Sequence, residues 1–345
     1  MKIACFSMVR NESLLIRNFI EQANEFFDYL YILDHDSMDN TVDIISKRAN
    51  QNTQLFFLKS TGYPQSEATT FFARKIFNET DVDYLFLLDA DEYLPFDNRQ
   101  ELEIFLLKHQ SSDVIDMYWC NLSPADLNSN DVFSGNFSYS ATSRINSKVV
   151  LSKSVNKISN WQIVQGNHAL VVDMNINMVT TISEQPLYHI PIQNMTQLYL
   201  KMLAGTIRLQ GSKILRIRRQ GTHWETYAKF LSSNAFSNDD ILAMIFFYGE
   251  SHALSAQPKT LSFSFPYIKE RKNPTHSING HLIGIIQQLF HTFSKYESSN
   301  YVITDTGGRI IVKHDVSYVE WFLKLARMIL AGNYYKMKAY AKNYF

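Results

Sequence analysis

Residues Tyr84 to Leu88 form an apolar run that breaks abruptly into Asp89, Asp91 and Glu92, with only Ala90 between the two aspartates. A short uninterrupted apolar run reads as a strand buried on both faces, which points to the interior of a largely parallel sheet. Carboxylates are rarely buried without a partner. A cluster of them at the C-terminal end of a strand calls for a cation, a base or a hydrogen-bonded loop. In an open α/β sheet that end is also where ligands bind. Two aspartates separated by one small residue can converge on one hard divalent ion, and they can equally cap the turn or helix that follows.

The surrounding sequence fits such a sheet. Strands are expected at Ile3–Val9, Tyr29–Leu33, Thr53–Leu58, Tyr84–Leu88 and Val114–Trp119, with helices at Glu12–Phe27, Thr41–Arg48 and Glu67–Phe77 between them. In the first helix Leu14, Leu15, Phe19, Ile20 and Ala23 recur near helical spacing. This β-α-β-α order predicts an α/β fold: a mainly parallel, Rossmann-like sheet flanked by helices. From Leu122 to Asn160 the chain is rich in Ser and Asn and predicts loops and short strands, followed by a strand at Ala169–Val172. Beyond Thr196 the period turns helical, at Gln197–Leu209, Thr226–Phe230, Asp240–Tyr248, Leu282–Phe293 and Tyr318–Leu330. A strand is expected at Leu261–Phe265, and a hairpin from Tyr301–Thr304 and Arg309–Lys313 around Gly307-Gly308. The expected division is a catalytic unit over 1–194 and a mostly helical C-terminal region over 195–345.

Charge supports that division. The formal net charge is zero, yet residues 1–194 carry 14 Lys/Arg against 24 Asp/Glu, and residues 195–345 carry 19 against 9. An acidic half that needs a cation is joined to a basic half that suits an anionic surface; attraction between the halves explains the asymmetry equally well. Hydrophobic residues make up 46% of the chain and aromatics 14%, enough for a sizeable core. The only cysteines, Cys5 and Cys120, lie far apart in apolar segments, with neither disulfide nor zinc spacing. With no secretory leader and no run of eighteen apolar residues, a cytoplasmic protein is expected.

Two common phosphate-binding designs are absent. The first strand runs into Arg10-Asn11-Glu12, not a G-x-G-x-x-G turn, and no G-x-x-x-x-G-K-[ST] loop occurs. Instead, successive strands end in polar clusters: Arg10, Asn11 and Glu12; then Asp34, Asp36, Ser37, Asp39 and Thr41; then Asp89 and Asp91. In a parallel sheet all of these line one edge, offering acceptors to a base and ribose and a cation site to a diphosphate. Capping by Asp39 and Thr41 accounts for part of the second cluster.

The three segments Met8–Glu12, Asp34–Thr41 and Leu88–Tyr93 together resemble the family 2 glycosyltransferases and their relatives of GT-A fold. The likeness covers about the first two hundred residues and is nearest the branch with D-x-D-E, Gly-x-His and His-x-Pro segments, here Asp89–Glu92, Gly166–His168 and His189–Pro191. It implies that Arg10, Asn11, Glu12, Asp34, Asp36, Ser37 and Asp39 hold the nucleotide of an activated sugar. It further implies that Asp89 and Asp91, with His189 as a nitrogen ligand, bind Mn²⁺ or Mg²⁺ on its diphosphate. Arg74 and Lys201 are expected phosphate contacts, and Asp91, Glu92 and His168 the expected catalytic set. The family's acceptor-side E-D pair is missing between residues 100 and 200, so the general base is unassigned; Asp126, Asp173 and Glu184 rival His168.

The implied partners are a nucleoside-diphosphate sugar and a glycan or lipid-linked acceptor, as in bacterial-type surface polysaccharide synthesis, by an inverting, metal-dependent transfer. The C-terminal Tyr334–Phe345 stretch interleaves Lys with Tyr and Phe, which suits either a peripheral anionic membrane contact, at the inner face of the plasma membrane, or an ordinary packed helix. Nucleic acid is not an expected partner, because no recognition motif accompanies the charge. A sugar-phosphate nucleotidyltransferase and a non-enzymatic glycan-binding scaffold are the alternatives. The first lacks its glycine-rich loop after strand one, and intact Asp89 and Asp91 weigh against the second.

Overall fold

The computed structural model describes residues 1–60, 64–128, 132–133, 136–139, 146–173, 176–195, 197–199, 201–202, 227, 237–248, 259–261, 265–268 and 301–314. Four parallel strands form its centre: β1 (Ile3–Val9), β2 (Tyr29–Asp34), β3 (Thr53–Lys59) and β4 (Tyr84–Leu87), in the order β4-β1-β2-β3. Helices α1 (Ile16–Phe26), α2 (Thr41–Arg48) and α3 (Gln65–Glu79) connect them. The side-chain period of two sorts the central strands into two cores. Ile3, Cys5 and Val9 face one side with Leu30, Ile32, Tyr84 and Phe86, where α1 packs through Ile16, Phe19, Ile20, Ala23 and Phe26. Ala4, Phe6 and Met8 face the other with Tyr31, Leu33, Leu85 and Leu87, where α3 packs through Phe72, Ala73 and Ile76. Each such aliphatic or aromatic side chain contributes at most about 1.5–3 kcal/mol, so disturbing the central strands is costly.

The chain continues through β5 (Glu92–Tyr93), α4 (Arg99–Lys108), β6 (Val114–Pro124), β7 (Phe137–Tyr139) and β8 (Ser147–Ser152). Strand β8 lies between β4 and β6 and is antiparallel to both. Short strands follow: β9 (Gln162–Ile163), β10 (Leu170–Val171), β11 (Thr180–Ile182) and β12 (Leu187–His189), then α5 (Asn238–Phe246), β13 (Lys259–Leu261), β14 (Tyr301–Asp305) and β15 (Ile310–His314). The hairpin β14–β15 adds to the free edge of β3, and β13 adds beyond β7. The large sheet has thirteen strands among the described residues and is mixed: a parallel centre with antiparallel strands on both flanks.

Several boundaries differ from the sequence expectation. The first helix begins at Ile16 instead of Glu12, because Asn11 takes a left-handed φ of 55° and the N–H groups of Leu15 and Ile16 both fold onto the Glu12 carbonyl as a separate turn. The strand expected to end at Trp119 runs on to Pro124. Helix α4 is an addition to the expected elements; Asn98 caps it by accepting from the Glu101 N–H, and Leu102, Phe105 and Leu106 are its buried side. Of the strand expected at Leu261–Phe265, Leu261 belongs to the strand Lys259–Leu261 and residues 262–264 lie outside the described residues; the hairpin around Gly307-Gly308 forms as expected. Apart from Tyr227, the segments Thr226–Phe230, Leu282–Phe293, Tyr318–Leu330 and the tail from 334 lie outside the described residues. No helix among the described residues is long and apolar enough to cross a membrane.

Candidate functional site

Parallel β1, β2 and β4 bring their C-terminal ends to one edge, and the loops there are laced together by their own polar groups. The Asn11 N–H donates to Ser37 Oγ at 2.9 Å, and Asn11 Oδ1 accepts from the Met38 N–H at 2.8 Å. The Glu12 N–H donates to Thr41 Oγ1 at 2.8 Å, and Asp39 accepts from Ser13 N–H and from both the amide and hydroxyl of Thr41. Asn11 and Asp36 each carry a φ of 55°, which asparagine and aspartate tolerate better than other residues with side chains. Asn11, Ser37 and Asp39 therefore shape the edge through the backbone; the N-cap position of α2 is Asn40, and Asp39 instead accepts from the Thr41 amide and hydroxyl. Asp34 differs: its Oδ2 accepts from Ser37 N–H at 3.0 Å, while Oδ1 is buried without a hydrogen-bond partner. Burial raises the Asp34 pKa, against the hydroxyl and amide of Ser37. Arg10 and Asp36 are half-buried beside these loops.

The acidic turn after β4 is positioned by a second set of strands. The Glu92 N–H closes the turn onto the Asp89 carbonyl, and β5 then pairs antiparallel with β12, which itself pairs in parallel with the end of β6. That register sets His189 between Glu92 and Asn121. The Ile190 N–H donates to the Asp91 carbonyl at 2.9 Å, tying β12 to the turn. His189 Nε2 consequently stands 3.4 Å from Asp91 Oδ2, and Lys201 Nζ reaches the same oxygen at 3.0 Å.

Hydrogen bonding fixes the tautomer of His189. The Asn121 amide nitrogen donates to the carbonyls of Phe246 at 2.9 Å and Tyr248 at 3.4 Å, so its Oδ1 is the atom 2.7 Å from His189 Nδ1. Nδ1 must then carry the proton and donate, leaving a lone pair on Nε2. Burial lowers the His189 pKa, against the pull of Asp91, so the ring is neutral at pH 7 and its lone pair faces a carboxylate. For Asp91, burial acts upward, but Lys201, and His189 at the low pH where its ring is protonated, outweigh it and hold the carboxyl well below the usual range.

Beneath this pair lies a sealed layer. Lys148, 1% exposed, places its ammonium 2.5 Å from Asp89 Oδ2 and 3.2 Å from Glu92 Oε1. Glu92 is fully buried; it accepts from Trp119 Nε1–H at 2.8 Å and from the Asp89 N–H at 2.8 Å. The Trp119 ring stacks on His189 at 4.1 Å and meets the edge of His168 at 5.2 Å. Above Asp89, the Gln65 amide lies 3.4 Å from Oδ1 and its carbonyl accepts from the Gly166 N–H at 2.9 Å. Gly166 has a φ of +83°, and a Cβ there would lie 2.4 Å from His168 Nε2, so glycine is required for the ring to fold back. His168 Nδ1 donates to the Ser147 carbonyl at 2.6 Å; burial and then Lys148 push its pKa down to about 4.

The expected residues thus divide. Asp89, Asp91, His189 and Lys201 converge, and Glu12 joins them: burial and then Asp91 push its carboxyl up to about 8. Glu92 belongs to the layer below, fully buried with both carboxylate oxygens occupied inside the protein. Arg74 is corrected from a phosphate contact: its guanidinium donates to the Trp161 carbonyl and lies over the Trp161 ring at 4.9 Å. His168, the first choice for an acceptor-side role, has its pKa lowered to about 4 by burial and then Lys148, so its ring is neutral at pH 7. Lys148, Asn121, Trp119 and Gln65 join the site without a sequence signal. They are one lysine in a short strand, two residues inside β6 and the first residue of α3, with no local spacing to single them out.

Ligand oxygens of Asp89, Asp91 and Glu92 lie within 4.8 Å of one another. Of these, Asp89 and Asp91 are partly open, and the Nε2 lone pair of His189 adds a nitrogen donor. Two neighbouring ligands of an octahedral ion, each about 2.1 Å from it, stand about 3.0 Å apart, close to the 3.4 Å between Nε2 and Oδ2. Among the described residues Asp89, Asp91 and Glu92 face Lys148 and Lys201, and Glu12, its carboxyl pushed up to about 8, adds a further negative charge only when it ionises, which a divalent cation would favour. The donor set suits Mg²⁺ or Mn²⁺, and the imidazole favours Mn²⁺.

No known family profile matches the chain, and no curated protein matches it. Among solved structures it is similar to S. aureus TarS residues 1–349 in complex with UDP-GlcNAc, with 16% identity, a TM-score of 0.35 and coverage of 71% of this chain and 75% of that one. HddC from Yersinia pseudotuberculosis matches with 10% identity and a TM-score of 0.32 over 56% of this chain and 95% of that one. Glucosyl-3-phosphoglycerate synthase from Mycobacterium tuberculosis, solved with Mn²⁺, UDP and glucosyl-3-phosphoglycerate, matches with 14% identity and a TM-score of 0.25 over 34% of this chain and 44% of that one.

Proposed function

We propose that this chain is a GT-A-type glycosyltransferase that moves a sugar from a nucleoside-diphosphate sugar to a hydroxyl group of a glycan or lipid-linked acceptor. The observation that supports the reading most is the Asp91–His189 pair, a carboxylate facing an imidazole lone pair at 3.4 Å with the tautomer fixed by Asn121. That arrangement is unfavourable unless a cation is shared; the Lys201 ammonium, 3.0 Å from the same oxygen, supplies one, and a divalent ion would supply it to Nε2 as well. Asp91 and His189, with Asp89 beside them, would hold Mn²⁺ or Mg²⁺, which as a Lewis acid neutralises charge on a departing diphosphate.

The chain's own groups suit the remaining tasks. Lys201 brings an ammonium to the position where leaving-group charge develops. The buried Oδ1 of Asp34 accepts an N–H from the nucleobase, and the laced loops around Asn11 and Ser37 hold that end of the edge rigid. His168, neutral and packed on Trp119, lines the site without taking a proton. Direct in-line displacement with inversion is what the sequence resemblance implies; it needs a base from the acceptor side.

The test is a screen of UDP-, GDP-, CDP- and dTDP-sugars for hydrolysis or transfer in the presence of Mn²⁺, repeated with Asp91→Ala. One donor should be consumed, with the variant slower by about a hundredfold or more. Consumption of no donor, or equal rates for parent and variant, overturns the reading. Pyrophosphate release from a nucleoside triphosphate and a sugar phosphate would instead reveal a nucleotidyltransferase.

A further inference from the structure

Resting on the glycosyltransferase reading, we infer that Lys201 and the divalent cation are alternative partners of one oxygen, Asp91 Oδ2, so that metal is retained only when a diphosphate arrives to take the lysine. Lys201 Nζ contacts Oδ2 at 3.0 Å, and the lone-pair nitrogen of His189 faces the same atom at 3.4 Å. A cation bridging Oδ2 and Nε2 would sit against the ammonium, and two positive centres at one carboxylate oxygen repel.

The two lysines of the site are built for different tasks. Lys148 is sealed at 1% exposure beneath Asp89 and Glu92 and cannot leave without stranding both carboxylates. The Lys201 side chain is 27% exposed on a flexible stem, held at its tip by Asp91 Oδ2, by the Pro191 carbonyl at 2.8 Å and by the Tyr248 ring at 5.0 Å. With Pro191 and Tyr248 still holding it, its ammonium can turn from the carboxylate toward an incoming phosphate oxygen. In the donor-free protein Lys201 therefore guards Asp91 against metal. With a diphosphate bound, the lysine moves to the phosphate oxygens and the metal takes Oδ2.

The assignment makes two effects of one substitution opposite in sign. The full chain and its Lys201→Met, Lys201→Gln and Lys201→Arg variants are titrated calorimetrically with Mn²⁺ alone, and then with inorganic pyrophosphate in saturating Mn²⁺. Lys201→Met should bind Mn²⁺ alone about tenfold more tightly than the parent, and pyrophosphate about tenfold more weakly. Lys201→Arg, which keeps the charge, should stay near the parent in both titrations. Lys201→Gln replaces the Met variant if circular dichroism shows that variant unfolded. Unchanged or weaker Mn²⁺ binding in the neutral variant, with normal Mn²⁺-dependent pyrophosphate binding by the parent, overturns the exchange while leaving the transferase reading intact. A parent that binds neither Mn²⁺ nor pyrophosphate in any combination removes both.

Discussion

Lys148 and Glu92 form a buried ion pair, Nζ to Oε1 at 3.2 Å, with both side chains at or below 1% exposure. The same ammonium holds Asp89 at 2.5 Å, so one sealed lysine supports the acidic turn from below. Burial opposes charge on each partner: on Glu92 it outweighs Lys148 and raises the carboxyl pKa, whereas on Lys148 the contacts with Asp89 and Glu92 outweigh it and hold the ammonium charged.

Removing one partner alone should be costly. Lys148→Met leaves Glu92 and Asp89 without their cation and is expected to destabilise the protein by about 3–5 kcal/mol in urea denaturation. Adding Glu92→Gln should restore part of that loss, because the amide can still accept from Trp119 Nε1–H. A double variant no more stable than the single one would show that the loss does not come from the stranded charge.

Asn121 is expected to matter for metal and only moderately for stability. Asn121→Leu frees His189 Nδ1 and leaves the Phe246 and Tyr248 carbonyls without their donor. Mn²⁺ affinity in the presence of pyrophosphate should fall by about 10–100-fold, with a stability loss of about 1–3 kcal/mol. Unchanged Mn²⁺ affinity would contradict the tautomer assignment.

Much of the fold and part of the site are legible in the chain, for identifiable reasons. The bounds of Ile3–Val9 and Thr41–Arg48 follow from uninterrupted apolar burial and a polar helix entry, which are local signals. Asp89 and Asp91 stand out because carboxylates directly after an apolar strand need a cation or a capped turn to tolerate partial burial. Lys148 does not, since a lone lysine near the start of the short strand Ser147–Ser152 carries no local signal of burial, and only the β4–β8–β6 pairing turns it under Asp89. Arg74 misleads in the opposite way: its distance from the strand ends depends on how α3 docks, and Trp161, far off in sequence, captures it.

For the same reason Arg74→Ala should leave donor affinity unchanged. It removes a bond to the Trp161 carbonyl and a stacked cation, a loss of about 1–2 kcal/mol in denaturation. A rise of tenfold or more in the donor KM would return Arg74 to the phosphate site.

His168 should leave a signature in the dependence of stability on pH. Its pKa is about 4 in the folded protein against about 6.5 unfolded, so the unfolded chain binds more protons between those values. Stability from this group is present above about pH 6.5 and is lost as pH falls toward 4, by up to about 3 kcal/mol. Urea denaturation from pH 4.5 to 7.5 should show a shallower slope in His168→Gln; an identical slope would contradict the assignment.

The central claim is that the edge holds a nucleoside diphosphate through a divalent cation on Asp91 and His189. Calorimetric titration of UDP, GDP, CDP, ADP and dTDP into the full chain, with and without Mn²⁺, tests it most directly. The expected result is tight binding of at least one of them with Mn²⁺, weaker by tenfold or more without it and equally weak in Asp91→Asn. Binding of none, or binding indifferent to both Mn²⁺ and Asp91, would contradict the claim.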